Sequence, residues 1–384
     1  MRRSPESLGQ APPAAAFASG VLSGWRRQSV AFAVANIVFS FYQVVLQGGY
    51  RAGWCSDPRS LIGVAIPVVS TLLLVILLRR NSFRGALTNG VRVGVYLSAS
   101  IAIFGRPMLS AVTLVTGVGT NAGPPTPDLW TLGWRATSCV LSVWVLLIVR
   151  AWRSEVCGNP GVDGLSRAGL SRLGMLGWLA AGAAYVAGNM VAALTRNQLV
   201  EFVGAGFNKH THAEGGPLVG WVCESLSMAL TGLQEEPVFV GIAVVLWPLA
   251  RVRRLVGVAV LTSIVRAVPH LYYAAGAGSH TLAVSAIVIV WAGIWSTCAL
   301  LSAYYARTLV PIIVAHGLWD LRETGMGAWD VPAWLLVSEA VAVWVLVFAG
   351  LFPLLNALVD TRCGLRQNGT LAVELDSEVR DSVE

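Results

Sequence analysis

SLIGVAIPVVSTLLLVILL, residues 60–78, carries no charged side chain and runs straight into Arg79-Arg80. Wound as an α-helix at about 1.5 Å per residue, a stretch of this length nearly crosses a hydrocarbon core of about 30 Å. Its apolarity is continuous rather than alternating, which favours a helix over a strand of an outer-membrane barrel. Comparable runs recur along the chain. The candidate spans are about 30–50, 60–78, 93–115, 131–150, 173–195, 217–250, 255–275, 281–305, 308–323 and 333–356. The fold class they predict is all-α, a polytopic transmembrane helical bundle of about ten spans.

Composition agrees. Of 384 residues, 55% are hydrophobic and only 12% charged, with a mean hydropathy of +0.66. A soluble domain carries about 25% charged residues, so a soluble globular fold is excluded. The net charge of +7 does not imply nucleic-acid binding. Arginine supplies nearly all of the positive charge, Lys209 being the one lysine, and most arginines cluster between apolar segments. That is the positive-inside pattern of cytoplasmic loops. Six cysteines (Cys55, Cys139, Cys157, Cys223, Cys298, Cys363) show no CxxC spacing and read as small hydrophobes.

Loop charges set an expected orientation. Arg79, Arg80, Arg84 and Arg92 mark one cytoplasmic loop, and Arg150, Arg153, Arg167 and Arg172 the next. Arg251, Arg253 and Arg254 mark a third, and Arg307 a fourth, whereas the stretch 116–130 has no basic residue and reads as external. Arg51 and Arg59 are the exception, lying on the side read as external. Residues 1–24 show no compact apolar region before a cleavage site and read as a tail rather than a signal peptide. The protein is thus expected in the cell membrane, multi-pass, with both termini cytoplasmic. Two segments look irregular: Arg106-Pro107 interrupts the third span, suggesting a kink or two pieces, and Pro237 breaks the ladder of 217–250. The span 308–323 is short enough to be re-entrant or strongly buried.

Five ionisable residues lie in the apolar C-terminal half: Glu235, Glu236, His270, His316 and Asp320. A charge at bilayer depth costs about 2.5–3.5 kcal/mol or more, so such residues face one another or a water-filled cavity. Measured from the basic loops, Glu235 and His270 lie about 22 Å in, and His316 and Asp320 about 13 and 20 Å, at the helical rise. His316 and Asp320 are four apart and share one helix face, as do Arg266 and His270. Carboxylates and imidazoles gathered at one depth are materials for hydrolysis.

These residues carry a resemblance. TGLQEEPVFVG (231–241), RAVPH (266–270) and HGLWD (316–320) resemble the three ordered motifs of the CPBP family of intramembrane proteases, which includes CAAX prenyl endopeptidases and bacteriocin-processing proteins. The family pattern is EExxxR, FxxxH and HxxxN/D, each on its own helix. The likeness covers about 217–356 and leaves the first five spans outside. It implies four segments: a flexible cytoplasmic tail (1–27), N-terminal transmembrane helices (28–200), a CPBP-like protease core (216–356) and a charged C-terminal tail (357–384). It also implies roles. Glu235 is the general base that activates water, His270 holds that water, His316 and Asp320 stabilise the oxyanion (Asp320 only if protonated, otherwise orienting His316), and Glu236 orients its neighbours. The implied partners are membrane lipid and a peptide or membrane-protein substrate, with no nucleic acid and no cofactor.

Two positions depart from the family. Val240 stands where the motif arginine belongs, and Arg266 where the phenylalanine belongs. Arg266 is expected to replace the missing charge by pairing with Glu236 from the neighbouring helix. Three other readings stay open. Glu235, His270 and His316 would be the ligands of a zinc-dependent intramembrane metalloprotease, although HExxH is absent. With Val240, the chain would be an inactive membrane scaffold or immunity protein. Intramembrane Glu and His would also suit a proton-coupled transporter, but no inverted repeat is evident. Tyr272, Tyr273 and other aromatic residues near span ends read as interfacial anchors. His210 and His212 read as a hydrated loop, as does His280.

Overall fold

The apolar runs fold as helices, and no strand occurs among the described residues. The computed structural model describes residues 24–49, 58–81, 87–117, 129–157, 174–206, 218–247 and 252–328. Helices α1 (Trp25–Gly49), α2 (Pro58–Arg80), α3 (Asn89–Val115), α4 (Leu129–Cys157) and α5 (Gly174–Val203) form the first half. The second half holds α6 (Leu218–Ala229), α7 (Thr231–Glu236), α8 (Ile242–Leu246), α9 (Val252–His270), α10 (Thr281–Ala306) and α11 (Val310–Ala328). Seven described helices are long and apolar enough to cross a membrane, α6 to α8 acting together as one of them. The outer faces carry exposed apolar side chains along their length, such as Val34, Val38 and Phe41 on α1 and Leu61, Val69 and Ile76 on α2. Apolar surface that extensive suits lipid rather than water.

The predicted span 333–356, His210, His212, residues 1–23 and the C-terminal tail lie outside the described residues, whereas Trp25, Arg26 and Arg27, expected in the N-terminal tail, open α1. The third span is one unbroken helix, with Pro107 inside it, and not two pieces. The short span 308–323 corresponds to α11, whose apolar part is Val310–Leu321.

One hydrophobic core joins both halves of the chain, from Trp25 and Phe32 through Trp152 and Tyr185 to Val288 and Ile312. Polar links fix helices where lipid offers no alternative partner. Asn36 Nδ2 donates to Thr71 Oγ1 at 2.8 Å and to the Ala102 carbonyl at 2.9 Å, tying α1 to α2 and α3.

Two glycines set the closest approach near the polar cluster. A Cβ on Gly232 of α7 would meet the Ile313 carbonyl oxygen at 2.1 Å, and one on Gly317 of α11 would meet the Ala229 carbonyl oxygen at 2.3 Å. The obstacle in each case is backbone, so nothing flexible can give way. Gly232→Ala and Gly317→Ala should each cost about 1–3 kcal/mol by overpacking. Thermal unfolding in detergent should show both, while Gly257→Ala, with nothing within 4 Å, should not lower the midpoint. An undiminished midpoint in Gly317→Ala would contradict the tight crossing.

Candidate active site

Pro237 follows the two glutamates and has no N–H to donate, so the α-helical ladder cannot continue through it unchanged. The chain answers with a single π-helical turn over Pro237–Gly241, closed by the Ile242 N–H donating to the Pro237 carbonyl. Such wide turns recur at functional sites. Tyr96 of α3, fully buried, donates its hydroxyl to the Phe239 carbonyl at 3.1 Å and supports the turn from outside. Removing this bond in Tyr96→Phe should lower stability by about 0.5–1.5 kcal/mol. Denaturation of the purified protein checks it, and an unchanged midpoint would show that the turn holds without Tyr96.

The adjacent glutamates occupy opposite environments. Glu236 is wholly buried and every oxygen is engaged. Its Oε2 accepts from Arg266 Nη2 at 2.8 Å. Its Oε1 lies 2.8 Å from His316 Nδ1 and accepts from the Tyr185 hydroxyl at 3.3 Å. Glu235, half-buried, has a buried Oε2 with no hydrogen-bond partner. A carboxylate tied to a guanidinium, an imidazole and a phenol holds position; one with a bare oxygen can take a proton.

Arg266 and Glu236 form the ion pair expected of them, and both side chains are fully buried. The guanidinium carbon lies 4.2 Å from the Trp295 ring centroid and 5.2 Å from that of Phe239, so aromatic faces replace water around the cation. Val240 is itself buried in the π turn. The cation that pairs with Glu236 comes from α9.

Both nitrogens of His316 face carboxylates. Nδ1 meets Glu236, and Nε2 lies 3.4 Å from Asp320 Oδ2. Asp320 Oδ2 also accepts from Thr231 Oγ1 at 2.6 Å. Asp320 therefore lies where it can orient His316. Orienting His316 is one of the two roles open to Asp320 from the sequence.

His270 Nδ1 lies 2.7 Å from the Arg266 carbonyl oxygen. A carbonyl only accepts, so Nδ1 carries the proton and the neutral ring offers its Nε2 lone pair. Its ring is boxed by Trp291 (5.4 Å), Trp295 (5.6 Å), Tyr272 and Tyr273 (6.2 Å each). Tyr272 and Tyr273 thus line the site as well as ending a span, whereas His280 sits exposed in a short 3-10 turn.

Three participants have no place in the motifs. Trp295 Nε1 donates to the Tyr185 hydroxyl at 2.7 Å, which relays to Glu236, and the Trp295 ring packs edge-on to His316 at 5.1 Å. Arg135 of α4 donates to Gln234 Oε1 through Nη1 and to Ser227 Oγ at 3.2 Å through Nε. It lies close enough to interact electrostatically with Glu235 and Asp320. Tyr185 and Trp295 give no sequence signal beyond being aromatic. Arg135, a charge inside the predicted span 131–150, meets the same energetic criterion that marks the glutamates.

No family model, curated protein or solved structure matches the chain. The likeness to CPBP proteases rests on the three sequence motifs alone. Among the described residues no three His, Cys, Asp or Glu side chains are grouped as metal ligands. Of the trio Glu235, His270 and His316, His316 faces Glu236 through Nδ1 and Asp320 through Nε2.

Proposed function

We propose that the chain is an intramembrane endopeptidase of CPBP type that hydrolyses a peptide bond in a membrane-associated protein or peptide. The observation that carries the reading is the division of labour between Glu235 and Glu236, one with a bare buried oxygen and the other fully paired. Glu235 takes a proton from water, and the water oxygen bonds to the scissile carbonyl carbon. The carbonyl π pair moves onto its oxygen to give a tetrahedral oxyanion. Collapse breaks the C–N bond, the proton on Glu235 passes to the leaving nitrogen, and an amine and a carboxyl group result. His270 Nε2 accepts from the attacking water and holds it beside Glu235. Arg266, His316, Asp320 and Tyr185 keep Glu236 fixed, and with it the helix turn that aims Glu235.

The protein on this reading is a multi-pass protein of the cell membrane, with about ten spans, both termini cytoplasmic, and lipid and a membrane-borne chain as its partners. Purified protein in liposomes, presented with a pool of transmembrane peptides, tests the activity. New termini should appear by mass spectrometry. In oxygen-labelled water the first turnover should place label in the new carboxyl group. No cleavage of any peptide by the wild type would overturn the proposal. Cleavage lost with a chelator and regained with zinc would replace it by the metalloprotease reading.

A further inference from the structure

Resting on the protease reading, we infer that Arg135 of α4 is a catalytic residue whose Nη2 donates to the oxyanion. The reaction places negative charge on the former carbonyl oxygen, within reach of the water that Glu235 activates, and it needs a donor there. The obvious donors are spent. His316 faces a carboxylate with each nitrogen. The Tyr185 hydroxyl donates to Glu236 and accepts from Trp295. Arg266 has two nitrogens without hydrogen-bond partners, but its guanidinium is fully buried against Trp295 and Phe239, out of reach of a substrate.

Arg135 stands differently. Nη1 and Nε, which lie on different edges of the guanidinium, are held by Gln234 and Ser227 on the two sides of the break at Leu230. Nη2 is left without a hydrogen-bond partner, and it is not among the wholly buried atoms. Gln234 precedes Glu235 in sequence, and the cation interacts electrostatically with Glu235, Asp320 and Tyr272. Those three are only partly buried, as are His270 and Arg135 itself, whereas Glu236, Arg266 and His316 form a closed floor. Arg135 therefore stands among the partly buried members of the site with a planar cation already anchored. No proton leaves it: as the π pair moves onto the oxygen, Nη2–H donates a hydrogen bond to the charge that forms.

The test is the steady-state kinetics of Arg135→Ala and Arg135→Gln in liposomes, with thermal unfolding of each. A fall in kcat of about 10²–10³-fold is expected, with KM nearly unchanged and the unfolding midpoint lowered only as far as the lost bonds to Gln234 and Ser227 require. Added methylguanidinium should restore part of kcat in Arg135→Ala, which a merely structural arginine would not show. Where alanine prevents folding, the glutamine variant keeps a polar group at the break without the charge. Wild-type kcat in either folded variant overturns the inference and leaves the protease reading standing. So does a loss confined to KM, or one that guanidinium cannot recover. Absence of cleavage by the wild type overturns both together.

Discussion

Glu235→Gln should abolish peptide cleavage while leaving the fold intact, a loss of about 10²–10⁴-fold or more in kcat. The amide keeps the shape of the side chain and can still hydrogen-bond to water, but it cannot take its proton. The fold should tolerate the change because Glu235 Oε2 has no partner to lose. Thermal unfolding should therefore be unchanged. Glu236→Gln is the informative contrast: it weakens contacts to Arg266, His316 and Tyr185, so stability should fall along with rate. If Glu235→Gln cleaves at the wild-type rate, the base lies elsewhere and the proposed chemistry is wrong. If it loses both activity and unfolding midpoint, Glu235 is a structural group.

Arg266→Ala carries the largest expected cost in stability, about 3–5 kcal/mol, because it strands a buried carboxylate. The pair has no water to fall back on, since both side chains are wholly enclosed. Arg266→Lys keeps the charge but loses the planar surface that packs on Trp295. It should fall between wild type and alanine in both stability and cleavage. Glu236→Gln combined with Arg266→Met removes both charges, and it should be more stable than Arg266→Ala alone. A double variant no better than the single one would show that packing, not charge, is what Arg266 provides. Full cleavage by both Arg266→Ala and Arg266→Lys would end the idea that this arginine stands in for the one missing at Val240.

The helical architecture was legible because apolar runs of membrane-crossing length leave few alternatives, and the break after Glu236 was legible because Pro237 cannot complete an α-helical ladder. His316 and Asp320 were readable as a pair from their spacing of four, and Arg266 as a partner of Glu236 from the motif arginine missing at Val240. The fate of His316 was not readable. Which oxygen faces which ring nitrogen depends on how α7 and α11 approach, and that follows from Gly232 and Gly317, which no periodicity marks. Tyr185 and Tyr96 were invisible for a related reason: each acts on an element more than fifty residues away or at a carbonyl, without a local pattern. Arg135 was visible in principle, since any charge inside a span costs energy, but its attachment to Gln234 and Ser227 is a tertiary fact.

The shared core has a practical meaning for anyone wishing to work with a smaller piece of the chain. A fragment cut at residue 216 would retain all three motifs and lose Tyr96, Arg135 and Tyr185. Its π turn would lack an outside brace, Glu236 would lose a donor, and Trp295 would lose its acceptor. The boundary that the motifs suggest is a boundary of resemblance only. For expression, grafting or transplantation, the smallest honest unit includes the helices that no motif names.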